Sequence, residues 1–227
     1  GDKKTISFVG IPFAKPPVGD LRWKAPRELD SYPDTFKATA LPNRCMQVSN
    51  FYDSMDGIEG ESIIGSEDCL YLNIYLSEKA YKSKEKLPVV FWIHGGGNTW
   101  GYSASNIFTS GDFILDHDVI LVTTNYRLGP FGWFAYSGLN QDSENPLDST
   151  ANFGTLDIIK SLEWVNKYIS FFNGDPENIT IFGESAGARN VISLMSSPLS
   201  KDLFQRGISQ SGYLGSDSLE YAENNER

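Results

Sequence analysis

Gly183-Glu184-Ser185-Ala186-Gly187 has the residue types and spacing that acyl transfer to a serine requires. It follows Ile179-Thr180-Ile181-Phe182, an apolar β-prone run, and opens a segment that reads as helix from Ala186 to about Met195. Strand, sharp turn, serine and helix together are the setting of a nucleophile elbow. Such a turn forces the serine into a strained backbone conformation, and flanking glycines let the neighbouring chain approach without a Cβ clash. The Ser185 hydroxyl then stands clear of the strand end, with a helix N-terminus beneath it.

A second element lies upstream. Trp92-Ile93-His94-Gly95-Gly96-Gly97 follows Leu87-Pro88-Val89-Val90-Phe91, a continuous apolar run of the kind a buried parallel strand shows. The glycines are not spaced as a dinucleotide-binding loop needs, and Gly101 is followed by Tyr102, not by the lysine of a phosphate loop. The third common reading is an oxyanion loop, with a purely structural loop as the alternative. Bare glycines let backbone N–H groups converge on the point where a tetrahedral intermediate carries its charge. One such donor is worth roughly 3–4 kcal/mol in the transition state. The expected donors are Gly96, Gly97 and Ala186.

A serine nucleophile also needs a base and a carboxylate to orient it. The chain has two histidines, His94 and His117, and both precede Ser185. His94 belongs to the glycine loop and is expected to brace it. His117, in Leu115-Asp116-His117-Asp118, reads as an ordinary loop residue. The carboxylates downstream of Ser185 are Asp202, Asp217, Glu220, Glu223 and Glu226, with no histidine among them. These residues therefore lack a general base placed after the nucleophile, where this kind of triad has it.

The elements that must hold these residues read as alternating. Leu70 to Leu76 alternates as an outer strand would, while Val89–Ile93, Val119–Thr123, Ile179–Phe182 and Ile208–Gln210 read as buried parallel strands. Leu156, Ile159, Leu162, Val165 and Ile169 recur at helical spacing, predicting a helix from about Asn152 to Ser170. A helix-like pattern also begins at Leu219. Lys79 to Lys86 reads as an exposed charged loop. Strand–helix alternation predicts an α/β fold with a mostly parallel central sheet flanked by helices. Asn178-Ile179-Thr180 matches a glycosylation sequon, but at the start of a buried strand it reads as coincidence.

Further stretches, in order along the chain, carry a family resemblance. They are Phe8-Val9-Gly10-Ile11-Pro12-Phe13-Ala14 with Pro16-Pro17-Val18-Gly19 and Leu21-Arg22-Trp23, then Ser66-Glu67-Asp68-Cys69-Leu70-Tyr71-Leu72-Asn73. Asn125-Tyr126-Arg127-Leu128-Gly129 and Phe171-Phe172-Asn173-Gly174-Asp175-Pro176 follow. With the two glycine motifs, the chain resembles the type-B carboxylesterases, the group that includes the cholinesterases. Asn173 stands where that family usually has glycine; asparagine tolerates the left-handed backbone nearly as well.

The resemblance implies an α/β-hydrolase fold, with residues 1–227 as the N-terminal part of a single domain. The family's first strands and its C-terminal half, which holds the acid and the histidine, would be absent. It implies a serine carboxylic-ester hydrolase acting through an acyl-enzyme at Ser185, with no metal or organic cofactor, and inactive without the remaining C-terminal part. Two alternatives stay open: a catalytically inactive adhesion or binding protein of the same fold, and a fragment with no function of its own. Cys45 and Cys69 resemble the family's loop-closing disulfide, worth roughly 3–3.5 kcal/mol in the chain-entropy model. A bridge implies a secreted or periplasmic protein, unbridged thiols a cytoplasmic one. The loop between them carries Phe51, Tyr52, Met55, Ile58, Ile63 and Ile64, candidates for the wall of a gorge. Cholinesterases place a choline-binding tryptophan there; none lies between Cys45 and Cys69, which argues against choline specificity. A loop with three glycines, by the same resemblance, leaves room for bulky alcohol groups. Glu184 matches an acidic residue before the nucleophile, in an electrostatic or a structural role. Ser211 falls where the family has a serine that hydrogen-bonds near the triad. Arg22 and Glu67 match a buried ion pair, and Asp157 and Trp164 match structural helix positions.

Composition bounds the reading. The chain has 227 residues, 40% of them hydrophobic and 13% aromatic, enough to bury a sizeable core. A formal net charge of −10 disfavours nucleic acid and anionic membrane surfaces as partners; the small-molecule ester substrate is what the family resemblance implies. No apolar run approaches the roughly 18 residues of a membrane span, and no signal peptide is legible at the start.

Overall fold

A computed structural model describes residues 4–33, 35–55, 57–58, 60–83, 85–105, 116–139, 141–213 and 215–225. The side chains of Tyr52 and Met55, and residues Lys84, Leu115 and Glu226, lie outside the described residues. The strands are β1 (Thr5–Pro12), β2 (Gln47–Val48), β3 (Ile63–Ile64), β4 (Tyr71–Ser77), β5 (Leu87–Ile93), β6 (Ile120–Thr124), β7 (Gly174–Glu184) and β8 (Arg206–Gln210). Six form one sheet in the order β1-β4-β6-β5-β7-β8, and β2 pairs with β3 separately. The β6–β5–β7–β8 side is parallel, while β1–β4 and β4–β6 are antiparallel. This is the predicted mostly parallel sheet, with an antiparallel margin that includes a strand, β1, not expected from the sequence.

Helices cover the sheet. Residues Phe153–Tyr168 form the predicted long helix, continued by a 3-10 turn over Ile169–Phe172. Its apolar stripe, including Leu156, Ile159, Leu162 and Val165, packs into the main core with Leu72, Ile74, Phe91 and Val122. Val9, Tyr75, Trp92 and Leu121 form a smaller cluster, joined by Val90 and Phe182. A helix over Ala186–Ser196 follows β7, and another spans Leu219–Asn225.

Four expectations need correction. β4 is not an outer strand: it lies between β1 and β6, and Asn73 and Tyr75 are buried along with Leu72, Ile74 and Leu76. Asn73 is tolerated inside because it is satisfied. Its Oδ1 accepts from Gly10 N (2.9 Å), and its Nδ2 donates to Ser103 Oγ (3.1 Å) and Thr123 Oγ1 (3.0 Å). β8 is parallel as expected but not buried: it is the sheet edge, and Ile208 is 52% exposed. Lys79 to Lys86 is not all loop. Glu78–Lys82 is helical because Ser77 Oγ caps it at Ala80 N (3.0 Å) and Lys82 pairs with Glu78 one turn back.

The fourth correction concerns Arg22 and Glu67. They pair through two hydrogen bonds of 2.5 Å, but the side chains are 40% and 20% exposed, so the pair is not buried. Among the described residues the most deeply buried pair is Arg127–Asp157, at 3% and 0% exposure. There Arg127 donates through its backbone N, Nε and Nη2 to the two Asp157 oxygens at 2.7–3.0 Å. Asp157 sits on the long helix and Arg127 in the segment after β6, so the pair clamps that segment to the helix layer.

Asn173 adopts the left-handed backbone the sequence predicts, φ 65°. Its side chain does what a glycine could not: Nδ2 donates to the carbonyls of Ala80, Tyr81 and Ser83, closing the end of the Glu78–Lys82 helix. Asn178 of the sequon accepts from Arg206 across to β8 (2.7 Å).

Candidate active site

Parallel strands in register deliver their C-terminal ends to one edge of the sheet. Ile93 of β5 aligns with Thr124 of β6 and Gly183 of β7. The chain therefore leaves these strands side by side, at His94, at Asn125 and, one residue later, at Ser185. This edge is where open α/β sheets hold ligands.

Ser185 leaves β7 at φ 56°, ψ −119°, a strained conformation for a residue with a side chain. Its amide donates to Gln210 O of β8 (2.9 Å), which helps hold the strain, and its hydroxyl makes no capping bond to the following helix. Its surface is exposed. The turn is possible because the backbones nest. A Cβ on Gly183 would lie 2.6 Å from Gly187 C and O, and one on Gly187 would collide with Ile93 O. The amides of the first helical turn, Ala186 included, have no intrahelical acceptor.

The glycine loop packs directly on this elbow. A Cβ on Gly95 would stand 2.8 Å from Glu184 O and 3.3 Å from Ser185 Cβ, so the loop backbone lies against the serine. Gly96 and Gly97 take φ values of 99° and 62°. The loop turns tightly, with Thr99 N and Trp100 N both donating to Gly96 O (3.0 and 3.1 Å). Neither Gly96 N nor Gly97 N donates a hydrogen bond among the described residues.

His94 is 1% exposed and stacks on Tyr126, ring centroids 4.4 Å apart. Its Nδ1 donates to Gly95 O (2.8 Å), and a Cβ on Gly101 would collide with the imidazole. Burial lowers its pKa to about 4 against the pull of the Gly95 hydrogen bond, so the ring is neutral near pH 7. Enclosed and already bonded, His94 holds the loop and is no base for Ser185. His117 is exposed and lies three residues before β6, at the opposite edge of the sheet from Ser185. Neither histidine meets the serine.

Ser211 directly follows β8, next to the Gln210 carbonyl that takes the Ser185 amide, and is exposed with φ 58°. The Glu184 carboxylate projects beside Gly95: the Cβ built there would be 3.2 Å from Glu184 Oε2. Among the downstream acids, Glu223 accepts from Ser137 N and Oγ (3.2 and 2.9 Å), and Asp202 is exposed.

Cys45 and Cys69 are bridged and both sulfurs are buried. The loop they close reaches the site through Gln47. Gln47 Nε2 donates to Gly101 O (2.8 Å) and Gly101 N donates to Gln47 Oε1 (2.9 Å), pinning the end of the glycine loop. Phe51 and Ile63 of this loop are exposed, Ile58 and Ile64 half-buried. Gln47 and Tyr126, whose hydroxyl donates to His94 O (2.6 Å), were not singled out as site residues from the sequence. Gln47 carries no periodic or compositional signal, and Tyr126 was legible only as part of the Asn125–Gly129 family motif, with no role attached. Among the described residues, no cluster of three or more His, Cys, Asp or Glu could hold a metal ion, and no helix is long and apolar enough to cross a membrane.

The sequence profile of the Carboxylesterase family matches residues 1–225. The para-nitrobenzyl esterase of Bacillus subtilis is 41% identical over 203 residues, covering 89% of this chain and 39% of that protein. The juvenile hormone esterase of Tribolium castaneum is 42% identical over 209 residues, covering 91% of this chain and 32% of that protein. Among solved structures, a thermophilic PNB esterase superposes with a TM-score of 0.87 at 37% identity, over 99% of this chain and 44% of that one. The chain thus spans well under half the length of the relatives it matches.

Proposed function

The chain belongs to the carboxylesterase family, and from that premise we propose that it is the N-terminal part of a single α/β-hydrolase domain that hydrolyses carboxylic esters through an acyl-enzyme at Ser185. One observation carries this reading: the strained Ser185 at the end of β7 lies against a glycine loop whose Gly96 and Gly97 amides are unspent. Ser185 Oγ attacks the ester carbonyl. The N–H groups of Gly96, Gly97 and Ala186 receive the charge on the former carbonyl oxygen. The proton passes to a histidine and then to the departing alcohol; water repeats the sequence in reverse and releases the acid.

That histidine and its carboxylate belong to polypeptide beyond Arg227, because His94 is enclosed and His117 lies on the far edge. The Cys45–Cys69 bridge fits an oxidising compartment, supporting a secreted or periplasmic enzyme. The test is covalent. The full-length protein should hydrolyse a short-chain aryl ester and be labelled at Ser185 by an organophosphonate. Ser185→Ala should cut turnover by several orders of magnitude. Near-unchanged turnover in that variant would overturn the mechanism.

A further inference from the structure

The oxyanion reading sets a geometric demand. Gly96 and Gly97 sit on the loop after β5, while Ser185 and Ala186 sit at the head of the helix after β7. Their amides must point to one spot, and an error of about 1 Å is costly in rate. Backbone packing joins the near end of the loop to the elbow at Gly95. At the far end, two side chains make the connection. Asn190 Nδ2, on the Ala186–Ser196 helix, donates to Asn98 Oδ1, next to Gly97, at 3.0 Å.

Both residues suit this use. Asn98 has φ 60°, a left-handed conformation that asparagine tolerates. Its carbonyl accepts from Gly129 N (2.7 Å), so its backbone and side chain are held from two directions. Asn190 is 3% exposed in the middle of a helix, where asparagine is a poor helix former and an unpaired amide is costly. On the near side of the glycines, the Tyr126 hydroxyl donates to His94 O (2.6 Å). A single buried amide thus ties the helix after Ser185 to the loop just beyond its glycines.

We propose that Asn98 and Asn190 are a positioning pair that sets the oxyanion amides against the nucleophile. This rests on the ester-hydrolase reading of the same site. Neither side chain need touch the substrate; the pair acts on where Gly96 and Gly97 stand.

The experiment is a double-mutant cycle in the full-length protein with Asn98→Gly, Asn190→Ala and the double variant. Glycine at 98 removes the side chain without adding strain at positive φ. One hydrogen bond of ordinary strength predicts a fall in kcat of about 3- to 10-fold in each single variant, with KM within about twofold. The rate of organophosphonate labelling at Ser185 should fall in the same ratio, and the double variant should be no slower than the slower single. Amide exchange at residues 96–100 should quicken in both singles and no further in the double. Singles with unchanged kcat, multiplicative losses in the double, or unchanged exchange would each overturn the proposal. If Asn190→Ala fails to fold, Asn98→Gly removes the same bond from the loop side. Failure of unmodified protein to label at Ser185 would sink the esterase reading, while the exchange measurement would still decide the pair.

Discussion

Gly95 shows how narrow the tolerance is at the level of one residue. A methyl group there meets Glu184 O at 2.8 Å and Ser185 Cβ at 3.3 Å, both parts of the elbow itself. Gly95→Ala must push the loop off the serine, and kcat/KM for an aryl ester should fall about 10²-fold. Steady-state kinetics would check this; a loss under threefold would mean the loop has slack. His94 gives a pH prediction. Its folded pKa lies near 4, below the ordinary value of 6.5. Between those values the unfolded chain binds a proton that the folded chain refuses. This contribution is therefore fully present above about pH 6.5 and is lost as pH falls towards 4, on the order of 3 kcal/mol in all. Denaturant melts from pH 7 to 4 should show a shallower loss in His94→Gln than in the unmodified protein.

Between elements, two kinds of ion pair should behave differently. Asp157→Ala strands Arg127 in the core and should cost about 3–5 kcal/mol, whereas Arg22→Ala should change stability far less because water already reaches that pair. Chemical denaturation of both variants would test the ranking. The Cys45–Cys69 bridge closes the loop that carries Gln47, and Gln47 grips Gly101 by two hydrogen bonds. Replacing both cysteines by serine should cost roughly 3–3.5 kcal/mol. It should also quicken amide exchange at Gly101, a local effect that general destabilisation below the melting point would not produce.

For the molecule as a whole, the question is where the proton goes. Every histidine of these residues is accounted for: one is enclosed at the sheet's C-terminal edge, the other exposed at the opposite edge. A protein ending at Arg227 should hydrolyse an aryl ester no faster than its own Ser185→Ala variant. Turnover well above that control would mean a base has been overlooked. The exposed face of β8, with Ile208 and the residues around it open to solvent, marks the side on which the sheet is least covered.

The strained serine turn and the glycine loop were legible in linear order because both are local structures. Strand, glycines and serine lie within a few residues, and their backbone needs are written in residue type. The long amphipathic helix was legible for the same reason, while the left-handed turn at Asn173 was legible through the family resemblance, which has glycine there. Neighbourhood was not. Whether β4 lies inside the sheet, whether Ile208 is covered and which arginine is buried depend on strands and helices far apart in sequence. Alternating or short apolar runs look alike in either place. Asn98 and Asn190 are 92 residues apart, and as single polar residues they carried no signal. Only when β5 and β7 align side by side do the loops that follow them meet. That convergence brings Asn98, Asn190 and Gln47 to the glycine loop beside Ser185.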